Sequence, residues 1–145
     1  PTQKSTVVKF VYVGFKKSYY TKYRFDSSTE LDFSFILETN DEVLKWIRPV
    51  PNQFNIYWSS GAKKYEPDFI VETADSIYMC ETKAANDVNN PDVMAKAEAA
   101  SEFCRRASEF TAQNGGKPWR YVIILHTLVD RSYSFNYILQ QSKLK

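Results

Sequence analysis

The chain is predicted to fold as an α/β domain with a central mixed β-sheet flanked by helices. Two apolar segments, 65–71 and 77–83, are separated by a short polar break at 75–76, which predicts an antiparallel hairpin. The segment from about 93 to about 110 is rich in Ala, Glu, Lys and Arg, as expected of a helix. The apolar run 119–125 then predicts a buried strand. A helix between two strands indicates a crossover connection beside a parallel pair.

Upstream of the hairpin, the sequence predicts two helices and two strands. Several N-cap candidates at 26–30 precede apolar residues at 31–37, which predicts the first helix. A second helical segment is expected at 41–47, where Pro49 would end it. Residues 53–58 alternate between polar and apolar and are expected to form the first strand of the sheet. Residues 7–13 are also interpreted as a strand.

Two carboxylates and one ammonium group are expected to meet at one edge of this sheet. Glu81 and Lys83 are two residues apart, so both side chains project from one face of their strand while Thr82 points away. Asp68 opens the preceding strand, where it can meet them. Such short motifs are most often structural, because Pro-Asp suits a strand start and Glu-x-Lys suits a solvated face. Here the strand before Glu81 is apolar, and charges at the end of a buried strand favour a functional site.

The spacing of these charges resembles the PD-(D/E)XK nuclease superfamily, here as Pro67-Asp68 followed by Glu81-Thr82-Lys83. Four longer segments together resemble the C-terminal nuclease domain of type III restriction enzyme Res subunits: 25–30, 43–49, 65–72 and 81–84. The resemblance extends from about Gly14 to about Leu125. It implies a restriction-endonuclease-like fold whose core runs helix, three strands, helix, strand (αβββαβ).

The same resemblance implies which residues form the site. Asp68 and Glu81 would hold Mg²⁺, helped by the backbone carbonyl of Thr82, and Mn²⁺ is expected to substitute for Mg²⁺. Lys83 is implied as the catalytic lysine, which lowers the barrier electrostatically or assists proton transfer. Glu30 is implied to orient a water or to bind a second ion. Taken alone, Glu30 is more simply a first-turn acid that complements the helix dipole.

Lys96 and His126 are two further candidates for the site. Lys96 matches a basic position in the following helix of this family, where it would contact the scissile phosphate; a helix-surface lysine is an equal alternative. His126 is the sole histidine of the chain, so a histidine-rich metal site is excluded. The sequence at 125–128 differs from the one expected in close relatives. The catalytic segments match the family pattern.

The composition limits the function. The chain has 145 residues, of which 43% are hydrophobic, enough for one domain with its own core. Its formal charge is only +2, whereas a domain that binds DNA unaided is usually more basic, so DNA capture is expected to depend on another part of the protein. Four basic segments are candidates for phosphate contacts, with no choice among them: 16–17, 22–24, 63–64 and 105–106.

The cysteines and the apolar segments indicate where in the cell the protein is expected. Cys80 and Cys104 lack metal-ligand spacing and are interpreted as reduced core residues of a cytoplasmic protein. No apolar run approaches membrane-spanning length, so no membrane partner is expected. The chain begins at Pro1 rather than Met, so we expect residues 1–145 to be a single nuclease domain excised from the C-terminal end of a larger protein.

The resemblance also implies partners. The chain lacks a Gly-rich phosphate loop with its lysine, so ATP would be used only by an N-terminal helicase/ATPase domain of the same polypeptide. DNA is the implied substrate, and a modification (methyltransferase) subunit is the implied partner. Two alternatives stay open. One is a catalytically inactive nuclease-like module that docks DNA or the motor; the other is a metal-dependent hydrolase of RNA or a small phosphoester, since the site acts on phosphate and does not read the sugar.

Overall fold

The computed structural model describes residues 10–59, 61 and 63–142. The predicted strand at 7–13 lies partly outside these residues, since 7–9 are not described. Within the described ranges the elements in chain order are β1 (Tyr12–Val13), β2 (Lys22–Tyr23), α1 (Ser28–Thr39), β3 (Lys45–Ile47), β4 (Ile56–Trp58), β5 (Lys63–Tyr65), β6 (Phe69–Glu72), β7 (Ile77–Lys83), α2 (Pro91–Gln113), β8 (Trp119–Leu125) and α3 (Phe135–Gln141).

A four-stranded mixed sheet with the order β3-β6-β7-β8 forms the centre of the fold. β3 and β7 both pair antiparallel with β6, whereas β7 and β8 are parallel along all seven residues of each strand. A parallel pair needs a long crossover, and α2 supplies it. The predicted hairpin, the crossover helix and the strand at 119–125 are confirmed, and so is the restriction-endonuclease-like αβββαβ core. The first strand of the hairpin is shorter than the predicted 65–71, because it begins at Phe69 and Tyr65 belongs to β5 in a separate sheet.

Local signals explain where the two long helices begin. The Ser27 side chain accepts a hydrogen bond from the backbone N–H of Glu30 (3.2 Å) and caps α1. The Asn90 side chain caps α2 in the same way, and Pro91 occupies its first turn, where a missing N–H costs nothing. α2 therefore begins two residues before the predicted start and ends three residues after the predicted end.

Two predictions upstream of the site are wrong. Segment 41–47 is not a helix, because Lys45–Ile47 is a strand whose backbone pairs with β6 and whose Trp46 side chain is buried in the core. Residues 53–58 do not supply the first strand of the central sheet. Their strand, β4, pairs with β5 in a separate two-stranded sheet, so β3 takes the place assigned to it.

The two faces of the central sheet pack against different elements. On one face, Phe69 and Cys80 belong to a core that includes Phe33 of α1 and Phe135 of α3. On the other face, Met79 packs with residues of α2 and β4: Ala97, Ala100, Cys104 and Ile56. Since side chains alternate along a strand, the residues that follow Met79 at even steps share the α2 face.

The face of α2 that packs on the sheet is lined by small residues. Small and apolar residues recur at helical spacing along α2, and three of them, Ala97, Ala100 and Cys104, are buried against the sheet. Both cysteines are buried and free, as predicted from their spacing. None of the helices in the described ranges combines the length and apolar character needed to cross a membrane.

Candidate active site

The register of the β6–β7 hairpin brings Asp68 to Glu81. Phe69 pairs with Cys80, so the residues one step further out, Asp68 and Glu81, lie side by side at the end of the hairpin. Asp68 Oδ2 accepts hydrogen bonds from the backbone N–H of Thr82 (2.9 Å) and from its hydroxyl (3.2 Å). The position of Thr82 in the strand predicted that its side chain points away from the acids. Its hydroxyl instead bonds to Asp68 and fixes that residue to β7.

Glu81 is a buried carboxylate, with 5% of its surface exposed. Its Oε1 atom is buried and has no hydrogen-bond partner among the described residues. Burial raises the pKa of Glu81 well above its usual range, the neighbouring Asp68 raises it further, and Lys83 and Lys96 act in the opposite direction. A buried charge is normally paired or bound to a metal, so this carboxylate is suited to a cation.

The oxygen atoms beside this pair fit a hard divalent ion. A strand residue directs its N–H and C=O toward the same neighbour, so the Thr82 carbonyl faces the side on which its N–H meets Asp68. Among residues 10–59, 61 and 63–142, no group of three or more His, Cys, Asp or Glu side chains is placed to hold a metal. Two carboxylates and one carbonyl suit Mg²⁺, which often takes only one or two protein carboxylates and completes its octahedron with water and phosphate.

Glu30 is engaged by a residue that the sequence did not point to. Arg48 Nη2 lies 3.1 and 3.2 Å from the two carboxylate oxygens of Glu30 and 2.8 Å from Asp26 Oδ2. Burial raises the pKa of Glu30, Arg48 opposes that rise, and the charge of Asp68 adds to it. Glu30 thus lies within electrostatic range of Asp68 but forms an ion pair with Arg48. Its role toward water or a second ion stays a prediction.

The two lysines act on the acidic pair from different elements. Lys83 ends β7 on the same face as Glu81, and Lys96 projects from α2, which covers that face. The Nζ atom of Lys96 lies 5.1 Å from the ring centroid of Trp58 and 5.9 Å from that of Tyr65. The hydroxyl of Tyr65 donates to the backbone carbonyl of Lys96 (3.2 Å), so β5 is tied to α2 beside the site.

Sequence reasoning missed Arg48 and Trp58. A buried acid in the first turn of α1 signals the need for a cation, but it does not say which one. His126 is exposed and begins a short turn after β8.

The sheet order, the flanking helices and the acidic end of the β6–β7 hairpin define a restriction-endonuclease-like α/β domain. Residues 16–113 match the family model described as an endonuclease domain. The match covers more than half of the chain, which therefore belongs to this family of restriction-endonuclease-type domains. Membership indicates a hydrolase of the nuclease class. A comparison with the curated proteins finds no match.

Proposed function

We propose that this domain is the cleavage module of a type III restriction (Res) subunit, a Mg²⁺-dependent endonuclease that hydrolyses phosphodiester bonds of DNA. The observation that carries the proposal is the pair of the half-buried Asp68 and the buried Glu81 beside Lys83, in which one Glu81 oxygen has no hydrogen-bond partner among the described residues. Family membership supports the nuclease class. The resemblance at 25–30, 43–49, 65–72 and 81–84 supports the assignment to a Res subunit.

Each residue has a defined part in this reaction. Asp68 and Glu81 would hold Mg²⁺ with the Thr82 carbonyl, and Mn²⁺ would occupy the same oxygens. The ion supplies charge that stabilises the phosphate and makes water a better nucleophile at neutral pH. The Lys83 ammonium lies on the Glu81 face of β7, where it stabilises negative charge on the phosphate oxygens or assists proton transfer. Lys96 approaches the same face from α2 and would contact the scissile phosphate.

The proposal places this domain within a larger assembly. An N-terminal helicase/ATPase domain of the same polypeptide would use ATP, since the 145 residues contain no Gly-rich phosphate loop. A modification subunit would supply sequence recognition, which fits the small formal charge of +2. The free, buried Cys80 and Cys104 fit a reducing cytoplasmic compartment.

Cleavage by two charge variants tests this function. Asp68→Asn and Lys83→Ala, each made in the full-length protein, are expected to abolish Mg²⁺-dependent cutting of plasmid DNA. Glu98→Gln is the matched control, because Glu98 is exposed on α2 outside the site. Calorimetric titration with Mg²⁺ and Mn²⁺ should show binding that disappears in Asp68→Asn. Cutting retained by both variants would refute the proposal, and cutting of RNA in preference to DNA would reassign the substrate.

A further inference from the structure

The β4–β5 hairpin brings a second cation toward the site. Trp58 ends β4 and pairs across the hairpin with Lys63, the first residue of β5. The Nζ atom of Lys63 lies 5.2 Å from the ring centroid of Trp58, and that of Lys96 lies 5.1 Å from the same centroid. One indole ring, 9% exposed, therefore contacts two ammonium groups from two different elements.

These two ammonium groups form a small patch of positive charge around Trp58. Neither Lys63 nor Lys96 takes part in an ion pair within the described ranges, whereas Arg105 and Arg106 are paired with Glu102. Because both ammonium groups lie within 5.2 Å of one centroid, they are at most about twice that distance apart. Like charges held near each other without a salt-bridge partner raise the local concentration of anions. The ring partly offsets the repulsion, since an indole face attracts cations.

The position of this pair relates it to the acidic centre. The charge of Lys96 acts on Glu81, and the Tyr65–Lys96 hydrogen bond fixes the hairpin to α2. Lys63 is two residues before Tyr65 on the same face of β5, and it pairs directly with Trp58, the ring that Lys96 also contacts. A nucleic-acid strand with one phosphate at Asp68 and Glu81 would therefore carry a neighbouring phosphate toward Lys63.

We propose that Lys63, Lys96 and Trp58 form a binding site for a backbone phosphate that flanks the one to be cut. Lys63 binds this phosphate, Lys96 spans it and the scissile phosphate, and Trp58 is a positioning residue that holds both ammonium groups. The inference rests on the proposed function, because it takes a nucleic acid as the substrate. It selects segment 63–64 among the basic candidates and, within it, Lys63 rather than Lys64.

Salt-dependent binding separates these two neighbours. Lys64 lies on the other face of β5, paired with the exposed Tyr57, and donates a hydrogen bond to Asn52 Oδ1 (2.8 Å). The affinity of the full-length protein for a labelled duplex is measured by fluorescence anisotropy at several salt concentrations, in EDTA so that no cutting occurs. Removing one phosphate contact lowers the slope of log K against log salt by about 0.9 for duplex DNA and about 0.7 for a single strand.

Lys63→Ala and Trp58→Leu are each expected to lower this slope by the amount that corresponds to about one phosphate contact. Lys63→Arg and Lys64→Ala should leave the slope unchanged. Circular dichroism of each variant verifies that the fold is retained. An unchanged slope in Lys63→Ala, or equal loss in Lys64→Ala, would overturn the inference. These binding results do not depend on cleavage, so they are distinguishable from failure of the proposed function, which would appear as cutting retained by both Asp68→Asn and Lys83→Ala.

Discussion

The Glu81→Gln substitution measures how much the buried carboxylate lowers the free energy of unfolding of the domain when no metal is bound. Gln has the shape of Glu, carries no charge, and can donate an amide hydrogen to Asp68. Glu81 is 5% exposed and its Oε1 has no partner among the described residues. An unpaired buried charge costs more than the about 1–3 kcal/mol of an unsatisfied neutral polar group, and Gln removes the charge although its amide oxygen stays unpaired. We therefore expect the substitution to raise the free energy of unfolding in EDTA by about 1–3 kcal/mol.

The gain should depend on pH. The pKa of Glu81 in the folded protein is raised above its ordinary value of 4.5, first by burial and then by Asp68. Between these two values the folded state holds a proton that the unfolded state has released, so the free energy of unfolding falls as pH rises. Glu81→Gln removes this fall. Below the ordinary pKa, the variant and the wild type should have the same free energy of unfolding. As the pH rises from the ordinary pKa to the raised pKa, the free energy of unfolding of the variant should exceed that of the wild type by a growing amount.

Urea unfolding followed by tryptophan fluorescence, from pH 4 to pH 8, measures both effects. Each kcal/mol should also shift Tm by about 2–4 °C in a domain of this size. Mg²⁺ at about 100 times its Kd should stabilise the wild type by about 2.7 kcal/mol and leave Glu81→Gln unchanged. Glu98→Gln, on the exposed side of α2, is the control. A Glu81→Gln variant no more stable than the wild type at pH 8 in EDTA would refute this reasoning.

Three other substitutions or treatments test neighbouring features. Arg48→Met removes the partner of the buried Glu30 and should destabilise the fold by about 2–3 kcal/mol in thermal unfolding, less than for a fully buried pair because Arg48 is 22% exposed. Adding Glu30→Gln should restore most of this loss; no restoration would contradict the pairing. Thr82→Val removes the hydroxyl donor to Asp68 and should cost about 0.5–1.5 kcal/mol in urea unfolding, and a neutral result would count against that bond. Since burial raises the pKa of Cys80, its thiol should react with a thiol reagent at pH 8 only in denaturant; rapid labelling of the folded protein would argue otherwise.

Long periodic segments were predictable from the sequence, but short strands and their partners were not. α2 has a capping Asn90 and a stripe of small residues, and β8 is a continuous apolar run, so local signals suffice for both. β3 is only three residues long, too short to show alternation, and its pairing with β6 overrides local preference. For β4 the alternation indicated a strand, but alternation does not identify the neighbouring strand.

The same distinction applies to the site. Asp68 and Glu81 were predictable together because a short hairpin joins them, and its register follows from the apolar residues on each strand. Arg48 meets Glu30, and Lys96 meets Trp58, through tertiary packing, whereas Lys63 meets Trp58 across the short β4–β5 hairpin. Nothing in the local sequence of Arg48 or Lys96 reveals their contacts.

The pairing of Phe69 with Cys80 limits the insertions and deletions that this region can accept. Losing one residue within β6 or β7 shifts the register by one and turns Asp68 or Glu81 to the opposite face of the sheet. The turn from Thr73 to Ser76 lies at the far end of the hairpin, so added residues there leave the acidic pair aligned. Related domains should therefore vary in length at this turn and keep constant length between it and each carboxylate.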